Sequence, residues 1–156
     1  MKNKLELRMY SLVNYQLCGT IHAGIQPLHS VVEYAQKYFK TKEYQDWAKN
    51  WKTVIILSGG PTNNDGYIGM QKHLELLKKN KIKHSVFHEP DLNNALTSIS
   101  FLVDERVFSK GVYKDYVELE NLTKHENTIE RNKWIKSIGG KQNEFLRDFL
   151  KPFRLA

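Results

Sequence analysis

Glu89 and Asp91 close one strand-like stretch, "HSVFHEPDLNN", and Thr97 opens the next, in a chain whose formal net charge is +7. In open α/β sheets, ligands bind beyond the carboxyl ends of the parallel strands. That rule gathers "CGTIHAGIQPLH", with His22, Gln26 and His29, after a first strand and "SGGPTNN" after a second. It adds "HEPDLNN" after a third, with Thr97 opposite. The two acids are then expected to face a cleft and not bulk solvent. In "SGGPTNN", Ser58, Gly59 and Gly60 lie where backbone N–H groups can meet a phosphate at a helix start. The segment lacks the Lys-Ser/Thr ending of a P-loop, which argues against an NTPase. An ordinary strand-to-helix turn is the competing reading, with Gly59 and Gly60 for backbone freedom and Asn64 or Asp65 as N-cap.

Metal chemistry finds no support in the spacing. His84 and His88 are four apart on a strand, roughly 13 Å at ~3.3 Å per residue, too far to share an ion. With one cysteine, no zinc pattern is present. Cys18 precedes a helix start, with His22 and His29 near it, so a Cys–His nucleophile stands beside the plainer reading of a small buried hydrophobe.

The elements that must position these residues alternate. "RMYSLVNYQL" (8–17) is rich in aromatic and β-branched residues and reads as a first strand. From Gly24, Leu28, Val31 or Val32, Ala35 and Tyr38 or Phe39 recur at helical steps. Pro27 is tolerable there in the first turn. A short helical piece, "KEYQDWAKNW", is expected next. "KTVIIL" (52–57) has the continuous apolar character of a strand buried on both faces. Met70, Leu74 and Leu77 mark a helix ending near Asn80. "IKHSVF" (82–87) and "TSISFLV" (97–103) read as third and fourth strands. Strand–helix alternation implies right-handed crossovers and parallel neighbours, while the short connection before the last strand implies an antiparallel return. The expected domain, residues 1–106, is α/β with a mixed four-stranded sheet flanked by helices.

Residues 107–156 are expected to form a helical extension packed on that domain. "EFLRDFLKPF" places Phe145, Leu146, Phe149, Leu150 and Phe153 on one stripe, suited to closing the core or contacting a second copy, or to lying in a partner's groove.

The 156 residues are 40% apolar, which is a folding composition. No apolar run approaches a membrane span, and the charged start "MKNKLELRMY" is not that of a signal peptide. A single cysteine fits a reducing compartment, so a cytoplasmic location is expected. The excess of 24 Lys and Arg over 17 acids favours polyanionic partners.

The stretch "YSLVNYQLCGTIHAGIQPLHSVVEYA", with Gln26-x-x-His29 heading its helix, resembles the opening of type 2 peptidyl-tRNA hydrolases. "TVIILSGG" and "NKIKHSVFHEPDLNNALTSISFLV" are similar to that family's strand, acidic turn and threonine-opened final strand. The "EPDLN…LT" version is similar to divergent members in phage and bacterial genomes. The likeness spans about residues 8–105. It implies a homodimer that hydrolyses the ester between a peptide and the tRNA 3′ end, with a basic face for the tRNA backbone and no metal or organic cofactor. Carried over residue by residue, His22 stands where the family has a loop lysine, Glu89 where it has an aspartate, and Asn93 where it has a threonine. Thr97, Gln26 and His29 match.

Ester hydrolysis requires a positioned water, a proton acceptor and oxyanion donors. Glu89 or Asp91 is suited to the water, Thr97 and Asn93 to the oxyanion or the terminal ribose, and His22 to donation or to the base role. Asn94 lies beside Asn93 on the ligand side. Two alternatives use the same residues differently. One is a non-catalytic binder of a nucleotide or RNA end, phage-encoded and sequestering a nucleotide signal of its host in the host cytoplasm. The other is an interaction module working through residues 107–156.

Overall fold

The computed structural model describes residues 4–62 and 69–156. A mixed four-stranded sheet, ordered β2-β1-β4-β3, lies between helices on both faces. The strands are β1 (Leu7–Val13), β2 (Val54–Ser58), β3 (His84–Glu89) and β4 (Ala95–Asp104). The first three run in one direction and β4 returns antiparallel between β1 and β3. The expected parallel neighbours are therefore realised once, as β1 and β2. β3 pairs instead with β4, because a five-residue connection can join only antiparallel neighbours.

Several boundaries move from their expected places. β1 ends at Val13, not at 17, because the Asn14 side chain accepts from Gln16 N–H and starts a 3-10 turn over Tyr15–Leu17. Helix α1 spans His22–Tyr38, so Pro27 falls in its second turn and not its first. The helix survives because its opening turn is 3-10 in character, with Gly24 N–H donating to the Ile21 carbonyl, and one lost bond near an end is tolerable. Helix α2 (Lys42–Asp46) continues into a π turn, Trp47–Trp51. Helix α3 (Met70–Lys79) stops at Asn80, as its periodicity predicts. The expected caps Asn64 and Asp65 lie outside the described residues.

Alternation along the strands divides the core. Tyr10, Leu12, Leu57, Ile99, Phe101 and Val103 face α3 on one side. Leu7 and Met9 face Tyr34 of α1 and Trp47 on the other. On that α1 side the layer is polar. The Ser30 hydroxyl lies 2.8 Å from Ser98 Oγ and 2.6 Å from Ser100 Oγ, and Ser11 Oγ is 2.6 Å from Ser100 Oγ. The Ser85 hydroxyl donates to the Ser30 carbonyl at 2.6 Å. Small hydroxyl side chains let α1 approach the sheet closely while each of these buried serine hydroxyls keeps a partner.

Beyond β4 lie α4 (Glu105–Phe108), α5 (Lys124–Ser137) and α6 (Lys141–Phe149). Leu146 and Phe149 are part of the same core as Phe101, with Phe145, Leu150 and Phe153 packed against it, so the stripe closes the core. Arg147, 2% exposed, ties this segment together. Its guanidinium donates to Asp115 Oδ1 at 3.0 and 2.8 Å, to the Tyr113 carbonyl at 2.6 Å, and to the Arg106 carbonyl. The chain then runs back along the outer edge of β2, where Ser58 N–H donates to the Arg154 carbonyl and Ala156 N–H to the Ile56 carbonyl. No helix among the described residues is long and apolar enough to cross a membrane.

Candidate functional site

Three of the expected residues meet in one hydrogen-bonded chain at the carboxyl end of the sheet. Thr97 Oγ1 donates to Gln26 Oε1 at 2.6 Å, and Gln26 Nε2 donates to Glu89 Oε2 at 2.5 Å. Gln26 comes from the second turn of α1, Glu89 from the end of β3, and Thr97 from the start of β4. Gln26 and Thr97 are 3% and 1% exposed, so their geometry is held by packing as well as by the bonds. Glu89 is half-buried, and its Oε1 makes no hydrogen bond among the described residues. A carboxylate is thereby held at one oxygen, with the other unpartnered among the described residues.

Thr97 reaches this face because of a β-bulge. The β3–β4 register pairs Phe87 with Ser98 but His88 with Leu96, leaving Thr97 as the extra residue. Strict alternation from Ile99 and Phe101 would turn Thr97 into the α3-side core. The bulge turns it, with Ser98, toward α1, and restores Leu96 to the core. Asn14, Thr62 and Thr97 lock the same corner: the Asn14 amide donates to the Thr62 hydroxyl, and Asn14 N–H donates to the Thr97 carbonyl at 2.9 Å. The sequence reading missed Asn14 and Thr62. The spacing Leu96–Thr97–Ser98–Ile99, with two small polar residues between apolar ones, was the available sign of a bulge.

His29 sits one helical turn beyond Gln26, exposed, with its ring stacked on Phe87 at 4.3 Å between centroids and 18° between planes. Phe87 is two residues before Glu89, so the stack extends the Gln26–Glu89 contact along both elements. His22 is the first residue of α1 and is exposed. Asp91 lies in an exposed 3-10 turn, Pro90–Leu92. Asn93 and Asn94, also exposed, take left-handed φ values of 53° and 54°. Asparagine tolerates that conformation better than most residues, so both serve the turn into β4.

The glycine loop is largely spent on structure. Gly59 N–H donates to the Val13 carbonyl at 2.7 Å, and a Cβ there would stand 2.3 Å from Met70 Sδ. Ser58 N–H is taken by the Arg154 carbonyl, and the Gly60 carbonyl accepts from Tyr15 N–H. Gly59 and Ser58 therefore offer no backbone donor to a phosphate, whereas the Gly60 N–H makes no hydrogen bond among the described residues. The Cys18 thiol lies 3.6 Å from the Asn14 carbonyl, not in a Cys–His pair. No protein-family model matches the chain and no curated protein matches it.

Proposed function

We propose that the chain hydrolyses the ester joining a peptide or acylated amino acid to the 3′ end of tRNA, as type 2 peptidyl-tRNA hydrolases do. The observation that carries this reading is the clamped carboxylate: Glu89 fixed through Oε2 by Gln26, itself fixed by Thr97, with Oε1 unpartnered among the described residues. In this reading Oε1 accepts a proton from a water as that water's oxygen attacks the ester carbonyl. A tetrahedral oxyanion forms. It collapses with cleavage of the bond to the ribose oxygen, which receives the proton from Glu89.

Thr97 acts here as a positioning residue, since its proton points to Gln26. Donation to the oxyanion falls to the exposed side chains of His22, Asn93 and Asn94 at the same end of the sheet. Asp91 lies outside the clamp. A second reading, retention of a nucleotide or RNA end without cleavage, draws on that same commitment of Thr97, because it leaves the clamp without a free hydroxyl donor for the oxyanion.

The test is turnover of N-acetyl-aminoacyl-tRNA by wild type and Glu89→Gln. Loss of a general base predicts a fall of roughly 10²–10⁴ in kcat, with unchanged thermal unfolding. A folded wild type without turnover, releasing an intact nucleotide on denaturation, would replace hydrolysis with the binding reading.

A further inference from the structure

The positive charge of this protein is gathered at the end of the sheet opposite the clamped carboxylate. Residues 14–36, 53–71 and 84–105, which include the carboxyl ends of β1, β2 and β3, contain no lysine or arginine. Residues 36–52 and 78–83, which lead into the amino ends of β2 and β3, contain nine lysines and two acids. Their net of +7 equals the formal charge of the whole chain. The lysines are 37, 40, 42, 49, 52, 78, 79, 81 and 83, and all are exposed.

The two segments form one surface. Lys83 Nζ lies 3.5 Å from Glu43 of α2, and Lys37 Nζ and Tyr38 Oη both donate to the His84 carbonyl at the foot of β3. Of the two acids, Asp46 is occupied by Lys4 at 2.9 Å. Eight of the nine lysines therefore have no carboxylate partner among the described residues. From β2 to β3 the foot of the sheet is about 14 Å across, at ~4.8 Å per strand.

Two of the lysines stand where their residue type is unfavourable. Lys52 closes the π turn at φ 56° and Lys81 follows α3 at φ 55°. Each occupies the left-handed position at a helix end that glycine or asparagine fills with less strain. Both come just before a parallel strand, at the same end of the sheet.

We propose that this strand-amino end is a binding face for a nucleic-acid phosphate backbone, with Lys52 and Lys81 as fixed contacts. The inference does not rest on the hydrolytic reading, although α1, about 25 Å long, runs from this face to Glu89 and would track a bound strand between them. Phe39, 50% exposed, is the exposed large apolar side chain in these segments, and Val54, 39% exposed, lies just beyond them. That is too little apolar area to seat on a lipid surface.

The experiment is fluorescence anisotropy of the full chain with a labelled duplex of about 20 base pairs, titrated between about 50 and 200 mM salt. Six or more engaged lysines predict a loss of affinity of at least ~10³ over that interval. In Lys52→Gly/Lys81→Gly the salt slope should become shallower by about 1.8, reducing that loss about tenfold, while the melting temperature rises as the strain is relieved. Lys124→Gln/Lys136→Gln, on α5, should leave the slope unchanged. An unchanged slope in the glycine variant, or an equal change in the α5 variant, would overturn the proposal. So would capture of anionic vesicles without capture of the duplex. The duplex carries no ester, so failure of acyl-tRNA turnover leaves this test standing, and loss of duplex binding leaves the turnover test standing.

Discussion

Replacing Thr97 by valine keeps the shape of the side chain and removes the hydroxyl that starts the clamp. Thr97 and Gln26 are almost wholly buried, and the 2.6 Å bond from Thr97 is the contact that satisfies Gln26 Oε1. The variant loses a neutral hydrogen bond and leaves a buried carbonyl oxygen without a donor, a change that costs about 1–3 kcal/mol. For a chain of this length, about 2 kcal/mol corresponds to roughly 4–8 °C in Tm. The Gln26 amide is then free to rotate, so its hold on Glu89 Oε2 weakens and turnover of acyl-tRNA should fall with kcat, KM being little changed. Thr97→Ser retains the hydroxyl and should recover most of both losses. The assays are thermal unfolding and single-turnover hydrolysis on all three proteins. A valine variant as stable as wild type, or a serine variant as impaired as valine, would refute the positioning argument.

Two further outcomes follow from buried charge and buried histidine. Arg147→Met removes four hydrogen bonds that join α6 to residues 106, 113 and 115. The carbonyls of Arg106 and Tyr113 lose their donor, at about 1–3 kcal/mol for a buried group left unsatisfied, and hydrogen exchange should show the 109–122 segment opening first. Burial pushes the His73 imidazole down to about 4, against an ordinary 6.5, in a pocket where its ring meets Phe149 and Phe153 edge-on. The unfolded chain therefore binds the extra proton between these values. Stability is full above pH 6.5 and is lost as pH falls toward 4, by about 3 kcal/mol. Burial also lowers His84, which adds to the same fall. Urea unfolding across that range should show the decline, and His73→Phe should flatten most of it.

Short-range pattern determined much of this protein. The helical steps of Met70, Leu74 and Leu77 mark a helix, and the apolar run "VIIL" marks a strand. β2 nevertheless lies at the edge of the sheet, largely half-buried with Val54 exposed, and is not buried on both faces as its composition suggested. The stripe from Phe145 to Phe153 was legible as an apolar helix face, but that it closes the core and does not meet a second copy or a partner's groove is settled by its packing. The short link after Glu89 likewise dictated an antiparallel return, because so few residues cannot cross over a sheet. Local competition blurred the edges, as where Asn14 captures Gln16 N–H and ends β1 four residues early.

Tertiary structure decided the rest, because it depends on partners far apart in the chain. Gln26, Glu89 and Thr97 are separated by up to 71 positions, and only the insertion of β4 between β1 and β3 brings them together. Whether Thr97 faces α1 or the opposite core turns on a single bulge opposite β3, and one extra residue exchanges the two faces of a strand. The lysine runs are plain in the sequence. That they crowd the end of the sheet away from Glu89 follows only once three strands are known to point the same way.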